Sequence, residues 1–222
     1  VSGEIVNGAC ASVQRTLPVW YGKLPGAGDF VNRRMPRALA QAWEQWFALG
    51  MAELHEARRE AFVQAYLQAP VWDFAMPAGA DAGWVQFGCL APSRDRVGRH
   101  YPLVVADAMT AADYSPRSGG LAGARLGPMR EALTEAIERA HGPEQFDSVL
   151  AEQVALGHAP SAAPPVPGWP NLLEYFDPHG TTSFWWTREA GSAPARTEVH
   201  TGRLDGALFR RLFGERAQQR FE

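Results

Sequence analysis

Two short stretches of this sequence hold the residue types with which proteins do chemistry. The first, Gly22-Lys23-Leu24-Pro25-Gly26-Ala27-Gly28-Asp29, sets an ammonium and a carboxylate on either side of a glycine-rich turn. Lys23 is the lone lysine among 21 basic residues. The second, Pro92-Ser93-Arg94-Asp95-Arg96-Val97-Gly98-Arg99, places arginines around one aspartate. A lysine beside a glycine loop raises phosphate binding, because backbone N–H groups in such loops can approach an anion closely. The spacing argues against it. A P-loop carries Gly-Lys-Ser/Thr at its end, whereas here the lysine comes first, and the dinucleotide pattern G-x-G-x-x-G is absent. The arginine group can grip a carboxylate or lock its own loop through internal pairs, and the sequence leaves both open.

Other chemistry is sought and not found. His55-Glu56 starts like a zinc-protease string, but Arg59 stands where the second histidine must be, one helical turn on. The six histidines have no close pairing with one another or with cysteine. No metal or cofactor is therefore expected. Nor does Gly-x-Ser-x-Gly occur, and residues 177–181 read as turn chemistry. Glu44 with Glu53, and Asp73 with Asp81, have no spacing that predicts a shared cleft. Cys10 and Cys89 are too few for a disulfide framework, and Cys89 reads as a small core residue.

The elements that must position the two loops follow from periodicity. Residues 17–24 form a first strand. Residues 37–56 repeat Leu39, Ala42, Trp43, Trp46, Phe47, Gly50 and Leu54 at helical steps, and a second helix covers 59–67. Strands at 71–76, 84–90 and 99–106, joined by short turns, must be largely antiparallel neighbours. Residues 109–127 carry Pro116, Gly119 and Gly120 and read as a loop, after which Pro128 opens a helix to about 140. A helix at 143–155, a proline-rich connector at 159–170, a hairpin of 181–187 with 197–201, and a helix at 205–213 complete the chain. Its prolines lack a flanking basic anchor, so Pro164-Pro165-Val166-Pro167 is a weak polyproline ligand. The fold class is α/β: a three-layer α-β-α sandwich around a mixed, largely antiparallel sheet. Residues 1–16 are expected to be an N-terminal arm and 17–222 a single domain.

A net charge of −3 with 46% hydrophobic residues gives no electrostatic case for nucleic acid or anionic lipid. No stretch reaches the length of a membrane span and no signal-peptide pattern opens the chain, so a cytoplasmic location is expected.

Tyr-Gly-Lys-Leu-Pro at 21–25 with Gly28-Asp29-Phe30-Val31, then Trp72-Asp73-Phe74-Ala75, then Pro92 to Leu103, resemble in order and spacing the motif blocks of the TagF (ImpM) family of type VI secretion accessory proteins. Ser183-Phe184-Trp185-Trp186 resembles that family's C-terminal aromatic block. The resemblance implies a cytosolic, post-translational negative regulator that binds the forkhead-associated scaffold protein of the secretion apparatus and catalyses nothing. It also implies a partner-binding face made of Lys23, Gly26, Gly28, Asp29, Asp95, Arg96, Arg99, Trp185 and Trp186. The alternative is an enzyme that binds a small molecule or phosphate with the loops at 22–29 and 92–99.

Overall fold

A computed structural model describes residues 17–58, 61–80, 82–156, 175–188 and 194–214. The expected N-terminal arm, Cys10 and the proline-rich connector lie outside the described residues. Among the described residues seven strands form one sheet: β1 Val19–Lys23, β2 Phe30–Arg33, β3 Trp72–Met76, β4 Trp84–Ala91, β5 Leu103–Thr110, β6 Thr182–Arg188 and β7 Pro194–Thr201. Their order is β2-β1-β5-β4-β3-β6-β7, and every pairing among them is antiparallel.

Side-chain alternation along the strands builds two cores, because successive residues point to opposite faces. Tyr21, Trp72, Phe74, Leu90, Val104 and Trp185 enter one. Helices α1 Arg37–Arg58, α2 Phe62–Leu67 and α5 Gly206–Phe213 cover that face with Leu39, Trp43, Phe47, Tyr66 and Phe209. Trp20, Phe87, Cys89, Val105 and Trp186 enter the other, under α3 Pro116–Glu138 and α4 Pro143–Leu156. This is the three-layer sandwich.

Buried tryptophans find partners for their indole N–H groups, as burial demands. Trp43 donates to Gln86 Oε1 at 2.9 Å, Trp46 to the Asp205 carbonyl at 2.7 Å and Trp72 to the Leu212 carbonyl at 3.0 Å. Each bond ties a helix to the sheet or to a second helix, so the aromatic layer also fixes orientation.

Three elements depart from expectation. The strand expected at 99–106 runs instead over Leu103–Thr110, because Arg99 is taken into the turn with Asp95 and His100 makes only an isolated bridge with Arg94. Residues 30–33 form an edge strand, too short and too polar on one side to signal itself. Helix α3 begins at Pro116, twelve residues ahead of the expected start at Pro128. Its N-terminus carries a capping box: the Ser118 N–H donates to Ser115 Oγ and the Ser115 N–H to Ser118 Oγ, with Pro116 at the first helical position. Ala122 and Leu126 bury against the sheet, and Gly119 packs under the Tyr114 ring where a Cβ would stand 2.9 Å from the ring edge. Tertiary packing outweighs the poor helix propensity of the glycines.

Candidate functional site

The two sequence-marked loops lie side by side at the end of β1 and the β4–β5 connection. Residues 24–27 make a turn with Pro25 second, closed by the Ala27 N–H donating to the Leu24 carbonyl at 2.9 Å. Positive φ falls on Gly22, at +139°, and not on Gly26 or Gly28. Gly26 is required by contact instead. Its N–H donates to the His141 carbonyl at 3.2 Å, and a Cβ there would overlap the backbone of Ala140 and His141 between α3 and α4.

The arginine loop is a hairpin tip. Gly98 donates its N–H to the Asp95 carbonyl at 3.0 Å and takes φ +88°, and Asp95 in turn donates to the Arg99 carbonyl at 3.1 Å. That is a turn followed by a glycine bulge, with Arg96 and Val97 at its apex. The Asp95 carboxylate folds back under the turn, accepting from the N–H groups of Val97 at 3.1 Å and Arg99 at 2.9 Å.

Asp95 is also the knot between the loops. Lys23 Nζ donates to it at 3.0 Å and Arg99 Nε at 2.6 Å. Arg99 Nη2 donates onward to the Gly28 carbonyl at 2.8 Å, the Arg96 N–H to the Ala27 carbonyl at 2.8 Å, and Ser93 Oγ to the Lys23 carbonyl at 2.7 Å. Tyr66 exchanges two bonds with the Ser93 backbone. The Lys23 ammonium lies 4.7 Å from the Phe30 ring centroid. Lys23 and Asp95 are both buried, whereas Gly28, Asp29, Phe30, Arg94, Arg96, Val97 and Arg99 are exposed.

Burial works against the charge of Asp95, but the Arg99 N–H, the Lys23 ammonium and the Arg99 side chain outweigh it and hold the carboxyl well below the usual carboxylate range. A lowered native value means that the unfolded chain binds the proton more readily. The knot's stability is thus present above the ordinary 3.8 and lost as pH falls through the lowered native value. Calorimetry should show the melting-temperature gap between wild type and Asp95→Asn narrowing as pH is taken from about 6 toward about 2. His100 is shifted down from 6.5, by burial first and by the Arg94 charge second, with Asp95 pulling the other way.

The structure brings together Lys23, Gly26, Gly28, Asp29, Asp95, Arg96 and Arg99. It does not bring the tryptophans to them. Trp185 and Trp186 point to opposite faces of β6, as adjacent strand residues must, yet both faces are covered and the two are 1% and 6% exposed. Trp185 packs on Trp46 and Phe74, and its indole donates to Ser183 Oγ at 3.0 Å. Neither is offered to a partner. Sequence reading also missed Ser93, Tyr66, Phe30 and Val97, whose roles depend on long-range contacts that no local pattern announces.

A second buried charge group sits under α3. Arg130 Nη1 and Arg188 Nε reach Asp73 at 3.1 and 3.3 Å, and Cys89 Sγ lies 3.3 Å from it. Burial raises the Asp73 carboxyl above its usual range, against the pull of both arginines. Burial and the Asp73 charge push the Cys89 thiol well up, which favours the protonated thiol of a buried core residue. Chemically, both groups are used up in holding elements together. The Lys23 ammonium, the expected phosphate ligand of the enzyme reading, is likewise committed to Asp95. Among the described residues no cluster of three or more His, Cys, Asp or Glu is placed to hold a metal ion, and no helix is long and apolar enough to cross a membrane.

Comparison with known proteins bears on this face. A family model described as the TagF N-terminal domain, type VI secretion system-associated, matches residues 19–153, a span that contains both loops. No curated protein matches the chain. Among solved structures, that of PA0076 from Pseudomonas aeruginosa PAO1 is similar at a TM-score of 0.68 and 27% identity, covering 90% of this chain and 95% of that one.

Proposed function

Because the chain belongs to the TagF family of type VI secretion-associated proteins, we propose that it is a cytoplasmic repressor of type VI secretion. In this reading it acts without catalysis, by binding the forkhead-associated scaffold protein of the apparatus. The docking face is the joined pair of loops. The observation that carries the reading is the Lys23–Asp95–Arg99 knot, which fixes two loops 72 residues apart in sequence into one exposed platform. A surface held rigid before contact loses less conformational entropy on binding, so more of its interaction energy appears as affinity. The family match supplies the biological setting, and the internal use of Lys23, Asp95 and Cys89 supports docking over turnover.

Isothermal titration of the purified scaffold with the purified protein tests this. The expected result is a saturable complex, together with lowered export of secretion substrate when the protein is overproduced in the host. Absence of a complex, with both proteins folded, contradicts the proposal.

A further inference from the structure

We propose that Arg96 and Arg99 form a carboxylate clamp above Gly28 for an acidic segment of a protein partner, with Val97 as the adjoining apolar contact. The inference rests on the docking platform proposed above and names the chemistry it recognises. Both guanidinium groups converge on one backbone position. Arg99 Nη2 donates to the Gly28 carbonyl at 2.8 Å, and Arg96 Nη2 stands 3.5 Å from where a Cβ on Gly28 would be. Arg99 is positioned in advance, since Asp95 and Gly28 hold two of its five donors on a side chain that is still 59% exposed. The Arg96 side chain makes no hydrogen bond or ion pair among the described residues, although its backbone N–H is anchored on Ala27. Val97, beside it at the apex of the turn, is 68% exposed.

Charge decides what fits. In a chain of net charge −3, the two loops set Lys23, Arg94, Arg96 and Arg99 against Asp29 and Asp95. The excess attracts an anion, but it is modest. Lys23 is neutralised within the knot, and the carboxylates of Asp29 and Asp95 would repel the second charge of a phosphate dianion. A planar, singly charged carboxylate matches the guanidinium fork bidentately at lower cost. Nucleic acid is disfavoured, because one small basic corner on an acidic chain gives no stripe to follow a backbone.

The experiment follows the backbone amide signals of the intact, isotope-labelled protein while it is titrated with a synthetic Glu-Glu-Leu-Glu-Glu peptide, a Lys-Lys-Leu-Lys-Lys control, or inorganic phosphate. The acidic peptide should shift Gly28, Arg96, Val97 and Arg99, and the control should not. Arg96→Gln should weaken that binding roughly 10- to 100-fold, and Arg96→Lys should restore only part, since charge returns without the fork. Arg96→Gln should keep a melting temperature close to wild type, because the Arg96 side chain makes no hydrogen bond or ion pair among the described residues. Shifts absent from this corner, or binding unchanged in Arg96→Gln, overturn the clamp whatever the scaffold does. Stronger shifts with phosphate overturn the choice of carboxylate. If the peptide binds and the scaffold does not, the clamp stands and the scaffold reading falls.

Discussion

Asp95→Ala lowers the melting temperature by on the order of 10 °C. The substitution leaves the Lys23 ammonium buried without its carboxylate and deprives the N–H groups of Val97 and Arg99 of their acceptor. Removing one member of a buried ion pair costs more than the pair is worth, because the survivor keeps its desolvation penalty and loses its compensation. Asp95→Asn is milder, since an amide oxygen still accepts from the turn. Lys23→Met combined with Asp95→Asn recovers part of the loss, as expected when both charges leave together. Thermal denaturation of the four proteins checks the order: wild type, then the double variant and Asp95→Asn, with Asp95→Ala lowest. A melting temperature for Asp95→Ala equal to that of wild type would show that the knot does not hold the two loops.

Trp185→Ala costs about 3–5 kcal/mol, whereas Trp185→Phe costs much less. The side chain is enclosed by Trp46, Phe74 and the inner face of the sheet, and its removal leaves a cavity that rigid neighbours cannot fill. Denaturant titration gives the free energies. At a temperature where both variants are folded, scaffold binding by Trp185→Phe matches wild type, because the residue lies inside and away from the loops. A stable Trp185→Ala protein that has lost binding would return this tryptophan to the partner face that the family's motif blocks imply.

These two residues show what the sequence made legible. Trp185 and Trp186 are neighbours on the strand expected at 181–187 and so face opposite ways, but period alone does not say whether a face is covered. Here helices cover both. A short connection between the strands at 84–90 and 99–106 was readable in outline. The ion pair from Asp95 to Lys23 was not, since only the sheet order β1-β5-β4 brings them together. The first half of α3 was misread as loop because Gly119, Gly120, Gly123 and Gly127 lower local helix propensity. What compensates is the capping box at Ser115 and the burial of Ala122 and Leu126, one visible only in geometry and the other only in packing. The role of Gly26 was equally hidden, because the room it gives the corner between α3 and α4 depends on a contact far away in sequence.

The central claim is that the joined loops are a docking face for the secretion scaffold and not a reaction site. The most direct measurement is isothermal titration of the scaffold against wild type and against an Arg96→Glu variant shown to share the wild-type melting temperature. The account predicts a complex with wild type and its loss with Arg96→Glu. Equal affinity for the two proteins, or no complex with either, would contradict it.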